Sequence, residues 1–319
     1  MNKTAASDEI AIFVRVVERG GFAAAAEETG LTPSGISKAV TRLEDRLGVK
    51  LLQRTTRRLM LTAEGETLLV RGREILAAIE ATEAEVMAAR GKPRGTIRVN
   101  MGTAYAKHRM APVLPEFRAR YPEIDLVVSV ADRRIDVIGE QVDVAIRTGP
   151  LTDSSLVARR LGEARRVIAA SPAYLARHGA PEQASDLARH TCLAISGLAR
   201  LSEWPLTVDG RVTSVPIKPA VTCDNADILA EMALAGLGIV RLASFVIEDA
   251  LADGRLVALL TDSHVSEAVP ITALMPPGRQ HLPRVRAFVD FLVETAPRRL
   301  QGAPETVDGY GPPSARIRE

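Results

Sequence analysis

The sequence predicts a multidomain chain that begins all-α, continues through one long helix and ends in an α/β region of two lobes. Three observations carry this. Apolar residues up to Leu47 recur at helical spacing and are punctuated by glycines; positions 63–89 are rich in Ala and Glu and free of Pro; and from Thr96 onward short β-rich runs alternate with helical ones. At 319 residues the chain exceeds the roughly 100–200 expected of one domain, so two or three are expected.

The first helix covers Asp8–Arg19, with Ile10, Phe13, Val14, Val16 and Val17 as its apolar set, and Gly20-Gly21 stops it. A short Ala-rich helix, Phe22–Glu28, lets another helix pack closely, and Thr29-Gly30-Leu31 turns the chain. The third helix has both ends written into it: Thr32 as N-cap, Pro33 at the first helical position and Gly48 as the left-handed stop, giving Pro33–Leu47. Ile36, Val40, Leu43 and Leu47 form its core stripe. The rest of its surface carries Ser34, Ser37, Lys38, Thr41, Arg42 and Arg46, with only Glu44 and Asp45 as local counter-charge. Hydroxyls and cations in this arrangement suit phosphates and base edges. The order helix, short helix, glycine turn, capped cationic helix is that of a helix-turn-helix. Apolar runs at Val49–Leu52 and Leu59–Leu61 then flank Gln53-Arg54-Thr55-Thr56-Arg57-Arg58, a hairpin with a cationic tip that forms a wing able to reach the DNA backbone or a narrow minor groove. Between Thr32 and Thr62, seven cations less two anions leave a local charge of +5, although the whole chain carries only +2.

Along the long helix, Leu68, Gly72, Ile75, Ile79, Thr82, Val86 and Ala89 alternate steps of four and three. That pattern predicts a coiled-coil seam and self-association; the competing reading is a helix packed on its own domain. Gly91, Pro93 and Gly95 end it. Expected strands follow at Thr96–Met101, Leu126–Val130, Val142–Arg147, Arg166–Ala170, Leu193–Ile195, Ala220–Cys223, Gly238–Leu242, Leu256–Leu260 and Ile271–Met275. Expected helices are Val113–Arg120, Ile135–Gln141, Asn225–Ala235 and Arg284–Glu294. This alternation implies largely parallel sheets, and a chain that leaves one strand group and returns implies two lobes with a cleft, where ligands of open α/β sheets lie. From Arg298 the composition reads as a disordered tail.

Hydrophobic content of 46% with 25% charge fits a globular protein, and only 3% aromatics means an aliphatic core. With neither a secretory signal nor a membrane-spanning run, the expected location is the cytoplasm. Five scattered histidines, His108, His178, His190, His264 and His281, show no metal-ligand spacing, and no nucleophile elbow or phosphate loop is evident; no enzyme, metal or cofactor is expected.

These residues resemble the LysR-type transcriptional regulators. The likeness rests on Phe22–Ala26, Leu31-Thr32-Pro33-Ser34, Ile36-Ser37, Leu43-Glu44, Leu47-Gly48, Leu51-Leu52-Gln53-Arg54 and Leu61-Thr62-Ala63-Glu64-Gly65, with looser matches at 143–149 and 235–239. It implies a winged helix-turn-helix DNA-binding domain at 1–65, a dimerising linker helix at 66–92, and an effector-binding domain at 93–297 that is two-lobed and like a type 2 periplasmic binding protein. Its lobe I would take about 93–165 and 268–297, its lobe II about 166–267, with 298–319 as the tail. DNA contacts carried over by the motif are Thr32, Pro33, Ser34, Ser37, Lys38, Thr41 and Arg42 on the recognition helix, and Arg54, Thr55, Arg57 and Arg58 on the wing. Dimer contacts are Leu68, Ile75, Ile79 and Val86, and members commonly form dimers of dimers. The effector, an organic acid being one candidate, would meet Met101, Gly102, Thr103, Ser129, Val130, Ala131, Arg147, Thr148, Ser196, Cys223, Asp224 and Asn225. Arg147 would bind a carboxylate or form an internal ion pair. Two alternatives are a redox regulator using Cys192 and Cys223, and a solute-binding protein that is not exported. Two departures from the family pattern are Gly21, where Ser is frequent, and Gly35, where Ala is frequent.

Overall fold

The computed structural model describes residues 3–54, 59–88, 93–133, 135–151, 156–197 and 199–300. Helices α1 (Lys3–Glu18), α2 (Phe22–Thr29) and α3 (Pro33–Leu47) pack around Phe13, Val16, Ala25, Ile36 and Leu43, all fully buried. The ends of α3 fall where its cap residues place them: the Thr32 Oγ1 accepts from Gly35 N at 3.1 Å, and Gly48 takes the left-handed conformation. Strands β1 (Leu52–Arg54) and β2 (Leu59–Leu61) pair antiparallel, Leu52 opposite Leu61, so the otherwise helical module carries a two-stranded wing. Of the expected wing contacts, Thr55, Arg57 and Arg58 lie outside the described residues, as does the side chain of Arg54.

Helix α4 (Ala63–Ala88) crosses α1 closely at Gly72, where a Cβ would sit 2.9 Å from Ile10 Cγ2. The predicted seam therefore divides. Gly72 and the half-buried Leu68 pack into the N-terminal core, while Ile75 and Ile79 are 45% and 40% exposed. The heptad spacing reported an apolar stripe but not that α1 covers its first part. The side chain of Val86 is outside the described residues.

Beyond it come β3 (Gly95–Met101), then a continuous helical run made of α5 (Thr103–Tyr105), a π-helical turn (Ala106–Met110), a 3-10 turn (Ala111–Val113) and α6 (Leu114–Arg120), then β4 (Ile124–Val130), β5 (Val144–Thr148) and β6 (Val157–Ala164). The chain crosses to lobe II as β7 (Arg166–Ala170), α7 (Pro172–His178), β8 (Cys192–Ile195), β9 (Glu203–Val208), β10 (Arg211–Pro216), β11 (Pro219–Cys223), α8 (Ala226–Leu234), β12 (Ile239–Ala243), α9 (Ser244–Ala252) and β13 (Val257–Ala258). It returns as β14 (Val269–Met275) and α10 (Pro283–Leu300). The last helix thus extends past the expected start of the tail at Arg298; residues 301–319 are outside the described range.

Strand order is β4-β3-β5-β14-β6 in lobe I and β11-β8-β12-β7-β13 in lobe II. Each sheet has two parallel pairings followed by two antiparallel ones, so the expectation of largely parallel sheets is corrected to two mixed sheets. The antiparallel strands adjoin the two crossings between lobes, where no helix intervenes to reverse the chain for a parallel neighbour. The expected helix Ile135–Gln141 is a set of turns. The Asp136 carboxylate accepts from Ile138 N and Gly139 N at 3.1 and 2.9 Å, and Gln141 has φ 55°, so local side-chain bonding displaces the helix. The expected strand at Leu256–Leu260 shrinks to β13, and β6, α7, the β9–β10 hairpin and α9 were not foreseen. One apolar core runs through both lobes, joining Tyr105 and Met110 to Leu229, Phe245 and Val246.

Candidate functional site

Along α3 and at its N-cap, Thr32, Pro33, Ser34, Lys38 and Arg42 are exposed, and Ser37 and Thr41 half-buried. Their side chains are not equally available. Thr41 Oγ1 donates to Ser37 O at 3.0 Å, and the Thr32 and Ser34 hydroxyls lie 3.1 Å apart. Arg42 and Arg46 both donate to the nearly buried Glu9 carboxylate on α1, at 3.2 and 3.3 Å. Glu9 is a counter-charge that the count over Thr32–Thr62 omits. Glu44, counted as surface charge, is buried. Desolvation pushes its pKa up, but Lys50 at 2.7 Å and the backbone N–H groups of Leu51 and Leu52 outweigh that and hold it below the usual carboxylate value. Lys38 is exposed and has no ion pair among the described residues. Gly35 also acquires a reason: a Cβ there would stand 3.2 Å from the capping Thr32 Oγ1.

Most of the expected effector contacts fall into three groups. Gly102 and Thr103, where β3 meets α5, face Asn225 across the lobes, and Asp132 links them: its Oδ1 accepts from Thr103 N at 2.8 Å, and its Oδ2 from Thr103 Oγ1 and Asn225 Nδ2, both at 2.9 Å. Ser129 and Arg147 are joined through a buried residue not foreseen, Asn100, whose Nδ2 donates to Ser129 Oγ at 2.9 Å while its Oδ1 accepts from Arg147 at 2.6 Å. Arg147 is thus turned into the ends of the lobe I strands. Ser196 N donates to Cys223 O at 2.9 Å, tying the ends of β8 and β11. Met101 is fully buried, so its side chain is not on the cleft surface; Val130, Thr148 and Asp224 are exposed and Ala131 half-buried.

The lobes are further clamped on the side of the π-helical turn. Lys107 Nζ and His108 Nε2 each reach Asp227 Oδ1 at 2.8 Å, and Arg109 grips Glu248 with two bonds of 3.1 and 2.8 Å. Elsewhere, a cavity of about 250 Å³ lies between α1, α4 and lobe I. At its rim Glu18 of α1 accepts from Arg73 of α4 at 3.0 Å and from Gln141 of lobe I at 3.5 Å, and Arg284 of α10 pairs with Glu80 of α4 at 2.6 Å. Sequence reasoning missed Asp132, Asn100 and these links because every partner is remote in the chain.

The arrangement is that of a DNA-reading module bonded to a two-lobed ligand domain, and comparison with known families agrees at both ends. Residues 7–66 match the model of the bacterial regulatory helix-turn-helix proteins of the lysR family, and residues 90–297 that of the LysR substrate binding domain. The chain belongs to the LysR family. It is 38% identical over 296 residues to the HTH-type transcriptional regulator CrgA of Neisseria meningitidis serogroup C, covering 93% of this chain and 99% of that one. To the HTH-type transcriptional regulator DmlR of Escherichia coli it is 31% identical, covering 92% and 95%. The solved structure of CrgA superposes with a TM-score of 0.61 at 37% identity, covering 92% and 98%. Full-length AphB, the Vibrio cholerae virulence activator, gives 0.57 at 28%, covering 90% and 98%. The protein is therefore a LysR-type transcriptional regulator with a DNA-binding helix-turn-helix and an effector-binding domain, and its relatives are regulators rather than enzymes. Among the described residues no helix is long and apolar enough to cross a membrane.

Proposed function

We propose that this LysR-type regulator works in the cytoplasm as a dimer, or a dimer of dimers, whose paired α3 helices read promoter half-sites, and that a small molecule in the interlobe cleft alters that grip. The exposed Lys38 on the capped helix α3, with no ion pair among the described residues, is the observation that carries the DNA reading. Ser34, Arg42 and Arg54 are its companions, Arg42 after release from Glu9. Self-association is supported by the exposed Ile75 and Ile79 on α4. The bonds from Glu18 to Arg73 and Gln141, and from Glu80 to Arg284, supply a physical route from cleft to α3. The redox alternative is disfavoured at Cys192, which is buried and whose thiol burial pushes up to about 11, far from a reactive thiolate.

The test is fluorescence anisotropy against DNA fragments retained by the protein from its own genome, repeated over a salt series. Lys38→Ala and Arg54→Ala should each weaken binding, and the phosphate-contacting one should lower the salt slope by about one unit for all sequences alike. Wild-type affinity and slope in both variants would count against this surface.

A further inference from the structure

The floor of the cleft, where both crossings between the lobes run, holds a group of cations that the regulator reading does not use. Arg241 on β12 stands opposite Ile168 in the register with β7, and Arg166 opposite Ala243, which puts both arginines on one face of the lobe II sheet as diagonal neighbours, roughly 7–8 Å apart. The same face is apolar beyond them, with Ile168, Cys192, Ala194 and Ile239 buried under Trp204 and Leu206. Arg200 approaches from the segment after β8 and reaches lobe I: a Cβ on Gly149 would stand 3.3 Å from its Nη2, and Gly149 has none.

Arg241 is buried, Arg166 half-buried and Arg200 exposed, and the first lacks the partner that buried charge ordinarily requires. Arg241 is only 8% exposed, yet its described hydrogen bond is to a neutral acceptor, His264 Nε2, at 3.0 Å. None of Arg166, Arg200 and Arg241 forms an ion pair among the described residues. The carboxylate that acts on Arg166 and Arg241 is that of Glu267, which is exposed. Desolvation first, and then the charge of Arg200 on Arg166 and of Arg166 on Arg241, lowers the pKa of both, Arg241 to about 10. His264 cannot share the charge, since burial and then the neighbouring Arg241 and Arg166 bring it down to about 4. Guanidinium groups so placed, with Arg241 buried and only an exposed carboxylate near, are costly unless an anion completes the cluster.

The other end of the cleft is arranged the opposite way. There the Thr103 amide and hydroxyl and the Asn225 amide, the donors an incoming carboxylate would seek, are already taken by Asp132. We propose that the effector's anionic group, a carboxylate or phosphate, is held by Arg166, Arg200 and Arg241 at the hinge side of the cleft, and that Asp132 excludes it from the Thr103 side. The proposal rests on the reading that this domain takes a small effector between its lobes, and it fixes the polarity and charge of that molecule. Arginine suits the task because its planar fork binds either oxyanion with two bonds.

The test uses the full chain in a buffer free of multivalent anions, with inorganic phosphate and malonate as separate probes and sodium chloride at matched ionic strength as control. The melting midpoint should rise with at least one probe and not with chloride, and whichever probe acts more strongly identifies the head group. Arg166→Gln and Arg200→Gln should each weaken the response roughly tenfold or more. Arg241→Met should abolish it while melting, without anion, no lower than wild type, because it removes an uncompensated buried charge; a merely structural Arg241 would melt lower. Arg200 is exposed, so its variant keeps the test valid if the other two fail to fold. Two outcomes overturn the anion site: no shift with either anion, or an undiminished shift in Arg166→Gln and Arg200→Gln. If an uncharged or cationic small molecule nevertheless changes DNA affinity, the regulator reading survives and only the anion site falls.

Discussion

The recognition module and the interlobe cleft satisfy their polar groups over very different distances along the chain. Around α3 the bonds that set its ends are short in sequence, three residues from Thr32 to Gly35 and seven from Glu44 to Leu51, and the longer ones, 33 and 37 residues from Arg42 and Arg46 to Glu9, stay within the module. In the effector domain they span 29 residues from Thr103 to Asp132, 93 from Asp132 to Asn225 and 139 from Arg109 to Glu248. The difference has a mechanical meaning. A unit closed by local bonds holds its shape when its surroundings move, whereas the cleft is held by bonds between lobes that any relative movement must stretch or break. Ligand binding can act on the second kind of contact and carry the first as a rigid body.

The largest expected effect falls on the lobe II core. Trp204 is fully buried beneath the arginine face, so Trp204→Ala should cost about 4 kcal/mol. Urea unfolding followed by circular dichroism should show the effector-domain transition shifting while that of the N-terminal module stays in place; a common shift of both would mean that the module is not the independent unit described.

A smaller effect is expected from acid. His264 has its folded pKa lowered from 6.5 to about 4, so between those values the unfolded chain binds a proton that the folded one refuses. Its contribution is complete above pH 6.5 and is lost as the pH falls toward 4, on the order of 2 kcal/mol after discounting for partial exposure. Thermal melts from pH 7 to 4.5 should show a decline that His264→Gln reduces, since glutamine keeps an acceptor for Arg241 but does not titrate. An unchanged decline in the variant would place the acid sensitivity elsewhere.

The smallest lies in the module. Gly21 precedes α2 with an extended backbone, no side-chain cap and nothing within 4 Å of a built Cβ. Gly21→Ser should stabilise by a few tenths of a kcal/mol. A melting midpoint that falls would show that the site has less room than its geometry indicates.

Legibility followed the same division. Thr32, Pro33 and Gly48 define α3 by local chemistry, and its ends coincide with the sequence reading. The coiled-coil spacing on α4 was equally visible, but periodicity cannot say that Gly72 is consumed by Ile10 and Val14 of another helix. Ile135–Gln141 looked helical because its apolar spacing hides the competition from the Asp136 side chain. In the cleft, Arg147 was a natural candidate for a carboxylate, yet Asn100, 47 residues away, engages it. Asp132 and the Arg166–Arg241 pair carried no local signal, since what makes them notable is which strands lie side by side.

The most direct test of the central claim, that two α3 helices held by α4 read paired half-sites, is hydroxyl-radical footprinting on a genomic fragment the protein retains, run with wild type and with Ile75→Lys/Ile79→Lys. Wild type should give two protected patches centred about one helical turn apart, roughly 34 Å or a multiple of it, and the α4 variant a single weak patch. Paired protection that persists unchanged in that variant, or a wild-type footprint indifferent to Lys38→Ala, would contradict it.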